Sequence, residues 1–340
     1  MRHLVTERAP ASHAHLRLAP DRALVVVGSL SAKAQDRSLP RSAIRSVQVL
    51  TAQGISAAPY FDGMGELGVS SLVFLPGSQR LLCSTGADLI ELDLGHRTRR
   101  CVDVEDLVDV HEMTVIGDRV WLANTGRDEL VAVDLDGRVV DRRGLAQFRR
   151  AGQTRGGDDV EEVNRFHVNQ VFEAVDGTLC CLVHHVGGRQ LLRRVAARIV
   201  KSQGDGGILD VDGAGSHGLG LSGPHSARVV GSEQWVFDSG RSEVVVFDAG
   251  WARLATVPTV GWGRGAAVAA DGSTVYGGMS PVRRRYRPFH SAPTVATPAV
   301  EAFDVAGRVS CGHVELDGIE QVNNLYEVDA AIADLLVGLA

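Results

Sequence analysis

Long apolar runs are missing from this chain. The longest near the N-terminus spans five residues, 23–27, too short for a signal-peptide core and far from the ~20 residues of a membrane helix. A soluble cytoplasmic protein without a membrane partner is therefore expected. Lysine is almost absent, with only Lys33 and Lys201, and acidic side chains outnumber basic ones, 41 to 35. The net charge of −6 and a pI near 6.1 argue against nucleic acid as a partner. Cysteine is scarce and odd in number: Cys83, Cys101, Cys180, Cys181 and Cys311. No CxxC spacing occurs, and each sits in an apolar strand-like segment, so buried reduced thiols are expected rather than a disulfide framework or a thiolate metal site. Nucleophile elbow, phosphate loop and dinucleotide fingerprint are all absent. The glycine-rich "GRGAAVAADG" and "GAGSHGLGLSG" lie between strands rather than between strand and helix, and read as turns.

What the chain has in abundance is short strands with regular turns. Residues 71–103, "SLVFLPGSQRLLCSTGADLIELDLGHRTRRCVD", contain four β-rich runs divided by turn signals. The same meander returns at residues 110–143, where Gly117-Asp118, Thr125-Gly126 and Asp136-Gly137 mark the three turns. Further copies begin at "HVNQVFEAVDGTLCCLVHH", "GPHSARVV" and "GRGAAVAADGSTVYGGMS". Five meanders of roughly 40 to 58 residues are the signature of a β-propeller. The strands in "RALVVVGSL" and "RSVQVL" have no blade of their own, and "IEQVNNLYEV" near the C-terminus supplies an inner strand for them. An all-β, six-bladed propeller of one domain (1–340) follows, closed by pairing of N- and C-terminal strands. The expected blades are 68–103, 107–142, 164–211, 220–257, 261–313, and 318–328 with 22–50, and residues 1–20 are expected to be flexible. "DAAIADLLVGL" reads as a short terminal helix, and "LVDVHEMTVI" as strand.

In such a disc the inner strands start on the face that carries the links between blades. The irregular segments 143–164, 212–223 and 279–298 are expected to gather there, where binding sites usually lie. Aligned starts of the inner strands, "VDVHEMTVI", "NRFHVNQVF", "SGPHSARVV" and "GWGRGAAVA", place His111, His167, His225 and Arg264 at one position. Three imidazoles converging on the axis are the minimum protein set for a catalytic metal with an open coordination position. Zinc is the first expectation, and iron, copper or nickel also suit nitrogen ligands. Asn169 shares the face of His167. Glu112 reaches the channel only if its strand starts with a bulge, and would then serve as acid or base. Arg264 suits a carboxylate or phosphate. His184 and His185 are expected farther from the axis, and Asn323 and Asn324 in the channel wall. Arg283, Arg284, Arg285, Tyr286, Arg287 and His290 form a basic loop on the same face.

These stretches resemble an uncharacterised bacterial propeller family that carries His-Asp near Trp-x-x-Asn-Thr, then His-Leu-Asn-Gly, Pro-His-Ser-Pro-Arg, Leu-Asp-Ser-Gly and Arg-Gly. The matching segments are "HEMTVIGDRVWLANT", "RFHVNQV", "GPHSARV", "FDSG" and "GRGAAV", with departures at Glu112, Gln170 and Ala227. More distantly the chain is similar to lactonases and strictosidine-synthase-like proteins, which implies architecture rather than a reaction. The leading expectation is a metal-dependent lyase, isomerase or hydrolase acting on a small polar or anionic metabolite. A non-catalytic ligand- or peptide-binding scaffold and a metal-independent hydrolase with a histidine base are the alternatives.

Overall fold

The computed structural model describes residues 16–148, 164–188, 205–213, 215–282, 287 and 294–339. It is a six-bladed β-propeller built from six four-stranded antiparallel sheets. Blade 1 runs Ser71–Phe74, Arg80–Ser84, Leu89–Asp93 and Thr98–Val102. Blade 2 runs Val110–Ile116, Arg119–Asn124, Glu129–Asp134 and Val139–Gly144. Blade 3 contains Val168–Glu173, Leu179–Val183, Gly206–Asp210 and Ser216–Leu221. Blade 4 contains Pro224–Val230, Glu233–Asp238, Glu243–Phe247 and Arg253–Pro258. Blade 5 contains Trp262–Val268, Thr274–Ser280, Ala299–Asp304 and Val309–Glu315. The closing blade places Gln321–Asp329 innermost, then Arg22–Ser29, Val47–Thr51 and Gly54–Ala57. The innermost strand pairs antiparallel with Arg22–Ser29, so the two ends of the chain share one sheet. It also packs against the inner strands of blades 5 and 1, which completes the ring.

Each sheet is covered on both faces, and the apolar side chains form a core between every pair of neighbouring blades. Trp121, Leu130 and Ala132 of blade 2 meet Val171, Cys181 and Leu209 of blade 3, and five further clusters of this kind complete the circuit. Burial on both faces explains why Arg22–Ser29 is nearly continuous in apolar residues instead of alternating. The helix Ala330–Val337 seats Ala333 and Leu336 on the core between the closing blade and blade 1.

Three expectations need correction. The segment 212–223 is not a long loop: Ser216–Leu221 is the outer strand of blade 3, so only its last two residues link to blade 4. The closing blade extends past residue 50 to a fourth strand, Gly54–Ala57. Cys83, Cys180 and Cys181 are buried, but Cys101, on the outer strand of blade 1, is exposed and Cys311 is partly so. Burial pushes the thiols of Cys83 and Cys180 up to about 12, which keeps them protonated and inert. Of the stretch expected to be flexible, residues 1–15 lie outside the described residues, and Leu16 is fully buried. Arg283 to Tyr286 and His290 lie outside the described residues.

Candidate functional site: a file of imidazoles at the channel mouth

Four inner strands share one irregularity where they enter the channel. The ladder slips between Val110 and Met113, Val168 and Gln170, His225 and Ala227, and Gly263 and Ala266. A bulge lets two consecutive residues turn toward the axis instead of alternating. Left-handed backbone marks two of the four, with φ of 45° at Ser226 and 66° at Gly265. At Gly265 an added Cβ would lie 2.5 Å from the Asn324 backbone, so glycine is required there by space as well as by conformation.

By ladder pairing, His111, His225 and Arg264 are equivalent, each two residues before Met113, Ala227 or Ala266. His167 stands three before Gln170, one position early. Its own left-handed φ of 52° brings the ring to the others. Asn169 occupies the bulge, the counterpart of Glu112 and Ser226.

The rings form a file across the mouth of a cavity of about 430 Å³ lined by His111, His167, His184, His225, Asn169 and Arg264. Centroid separations are 5.0 Å for His111 and His167, 4.5 Å for His167 and His184, and 5.1 Å for His184 and His225. Arg264 continues the file: its Nε donates to His225 Nε2 at 3.2 Å, and its Nη1 to Gln321 Oε1 at 2.9 Å. His184 is thus a member of the file and not a peripheral residue, whereas His185 turns away to Asp205. In ladder position His184 matches Asn124 of blade 2 and Asp238 of blade 4. Those two accept hydrogen bonds from the link backbone at Val108 and Ser222. His184 points its ring into the mouth instead, and its buried Nε2 has no hydrogen-bond partner. Aligned second-strand ends, "ANT", "VHH" and "FDS", carry that signal in the sequence.

Each sequence-predicted histidine has Nδ1 against an oxygen. His111 Nδ1 lies 3.0 Å from the Asp109 carbonyl, His225 Nδ1 2.9 Å from the Gly223 carbonyl, and His167 Nδ1 3.2 Å from Asn164 Oδ1. A carbonyl oxygen only accepts, so Nδ1 carries the proton and Nε2 presents a lone pair. At His225 the Arg264 donor requires the same tautomer. Burial, then the Arg264 charge, holds His225 well below the ordinary imidazole range; burial followed by the neighbouring histidines does the same at His184.

Below the file the channel is plugged. Glu112 crosses from blade 2 to blade 4, where Arg228 Nη2 donates to Oε1 at 2.7 Å and Ser226 Oγ to Oε2 at 2.8 Å. The bulge does turn Glu112 into the channel, but with both oxygens occupied it forms the floor. Asn169 Nδ2 donates to the Pro224 carbonyl, and its buried Oδ1 is without a partner. Asn323 joins the wall through Ser29 and Val69, while Asn324 lies deeper, on Tyr326. Among the described residues, no three His, Cys, Asp or Glu side chains converge tightly enough in this arrangement to hold an ion.

No protein-family model and no curated protein matches the chain, so the family resemblance rests on its motifs alone. Solved structures match in fold. A nidogen/laminin complex chain aligns at TM-score 0.52 and 10% identity, covering 90% of this chain and 98% of that one. A protein of unknown function from Bacteroides caccae aligns at 0.52 and 10%, covering 91% and 99%. A putative 6-phosphogluconolactonase from Bacteroides fragilis gives 0.49 and 12%, covering 91% and 98%. At such identities the likeness is one of fold.

Proposed function

We propose that this chain is a metal-dependent enzyme of lyase, isomerase or hydrolase type, acting on a small polar or anionic metabolite at the channel mouth. His111, His167 and His225 hold a divalent transition metal, zinc in the first instance. The observation that carries this reading is the oxygen acceptor on every Nδ1: metal-ligating histidines are oriented by donating their other ring N–H to a carbonyl or carboxylate. Desolvation adds to it by keeping His225 unprotonated, as a ligand must be. At metal–nitrogen distances of about 2 Å, two imidazoles on one tetrahedral ion have centroids roughly 5 Å apart, the separation of His111 and His167; His225 stands beyond His184 and has to move in.

Binding requires movement, since Arg264 sits on His225 Nε2. Release of Arg264 frees the nitrogen and supplies a guanidinium for an anionic group of the substrate. Asn169 Oδ1 accepts from a substrate hydroxyl or amine. Glu112 fixes the floor through Ser226 and Arg228. A bound metal supplies Lewis acidity and lowers the pKa of a coordinated water.

Metal content of untagged protein, repeated on His167→Ala, tests the proposal. The expectation is about one equivalent in the parent and a large loss in the variant. Parent protein with less than about a fifth of an equivalent of any transition metal after reconstitution contradicts it. The Arg264–His225 hydrogen bond favours one other reading, a metal-free site in which a neutral imidazole is the general base. Activity that survives chelation selects that reading, and ligand affinity unaffected by alanine at all three histidines selects a binding scaffold.

A further inference from the structure

Blades 2 and 4 end their second strands in the same short module, Asn124-Thr125-Gly126-Arg127-Asp128-Glu129 and Asp238-Ser239-Gly240-Arg241-Ser242-Glu243. Both close in a 3-10 turn capped by a left-handed residue, Asp128 at φ 50° and Ser242 at φ 54°. In both, the glycine N–H donates to the link carbonyl ahead of the blade, Gly126 to Val108 at 2.8 Å and Gly240 to Ser222 at 2.6 Å. That contact fixes the preceding hydroxyl. Thr125 Oγ1 donates to the Val168 carbonyl of blade 3 at 2.5 Å, and Ser239 Oγ to the Gly263 carbonyl of blade 5 at 2.5 Å. The same oxygens lie 3.0 Å from His111 Nδ1 and 2.9 Å from His225 Nδ1. Each hydroxyl has one proton, committed to a carbonyl of the next blade, so toward the imidazole it can only accept.

We propose that Thr125 and Ser239 are positioning residues: each shares with the link carbonyl, Asp109 or Gly223, the Nδ1 proton of its blade's mouth histidine while tied to the adjacent inner strand, reinforcing the ring's tautomer and fixing its aim relative to the neighbouring blade. This rests on the reading of His111 and His225 as the working imidazoles of the mouth. Blade 3 supports it by contrast, since His185 stands at the hydroxyl position, and His167 is held instead by Asn164. The hydroxyls thus appear where the ladder puts the histidine two residues before the paired position, and not where it is displaced.

The test is imidazole tautomer by long-range 1H–15N correlation in 15N-labelled, chelator-treated full-length protein, with zinc affinity as a second readout. Thr125→Val is expected to raise the Nε2–H to Nδ1–H ratio roughly fivefold at His111 and leave His225 unchanged. Ser239→Ala is expected to leave His111 unchanged and to move His225 in the same direction by less, because the Arg264 donor still holds Nε2 as an acceptor. Thr125→Ser and Ser239→Thr restore the parent ratios, and each hydroxyl-deleting variant weakens zinc binding ~10–100-fold. Unchanged tautomer ratios in a folded Thr125→Val or Ser239→Ala protein overturn the proposal, as does an equal change at both histidines. Either variant suffices if the other does not fold. Parent protein that binds no zinc defeats the metal reading, and the tautomer measurement then decides the positioning role by itself.

Discussion

Lowering the pH should destabilise this propeller through its mouth. His184 and His225 are held neutral well below the ordinary imidazole value of 6.5, chiefly by burial. The unfolded chain binds those protons and the native state does not, so stability is lost as pH falls through 6.5. From pH 7 to pH 5 the loss is about 2 kcal/mol per imidazole and about 4 kcal/mol for the two. Asp238 works in the opposite direction. Burial, set against Arg241, raises its carboxyl from 3.8 to about 6, so the native state takes its proton first and regains about 1 kcal/mol over the same interval. The net expectation is a loss of about 3 kcal/mol. Urea denaturation of chelator-treated protein at pH 7 and pH 5 measures it, and His184→Leu isolates one contributor by subtraction. The pH-dependent loss in that variant should shrink by about 2 kcal/mol. A variant that loses as much stability as the parent would refute the claim that a neutral, desolvated imidazole file spans the mouth.

The channel floor and the positioning modules give two further expectations. Glu112→Ala leaves Arg228 without its carboxylate in a channel where the two side chains are 6% and 18% exposed, and should cost about 3–5 kcal/mol by thermal or urea denaturation. Glu112→Gln, which keeps one acceptor for Arg228 and offers an amide N–H that the Ser226 hydroxyl can accept, should cost less than half of that, and equal losses for the two would show that packing rather than charge holds the floor. Gly126→Ala would place a Cβ 2.4 Å from Val108 Cγ1 and 2.8 Å from the Val108 carbonyl oxygen. It should destabilise by about 1–3 kcal/mol and broaden the His111 signals, and a neutral effect on both would mean that the link is free to give way.

The blades were legible because turn spacing and β-rich runs repeat, and because the two unpartnered N-terminal strands matched one C-terminal strand. The strands that escaped notice are outer ones. Gly54–Ala57 and Ser216–Leu221, "SHGLGL", are polar or glycine-rich and largely exposed, so burial imposes no apolar pattern on them. Register at the mouth was harder to read. Counting residues aligned His111, His167 and His225, but the bulges shift the ladder by amounts that sequence spacing does not reveal. His167 therefore stands one place early and reaches the file through left-handed backbone. The same effect concealed His184, whose ladder position is a backbone-accepting Asn124 or Asp238 in two other blades. Glu112 was conditional on a bulge, and the bulge is present.

The central claim concerns what the imidazoles hold, and anomalous scattering from crystals of untagged protein grown with zinc addresses it most directly. The expected result is a zinc peak bonded to Nε2 of His111, His167 and His225 at about 2 Å, with Arg264 displaced from His225. Density that shows Arg264 still donating to His225 Nε2 and no peak at the mouth would contradict it.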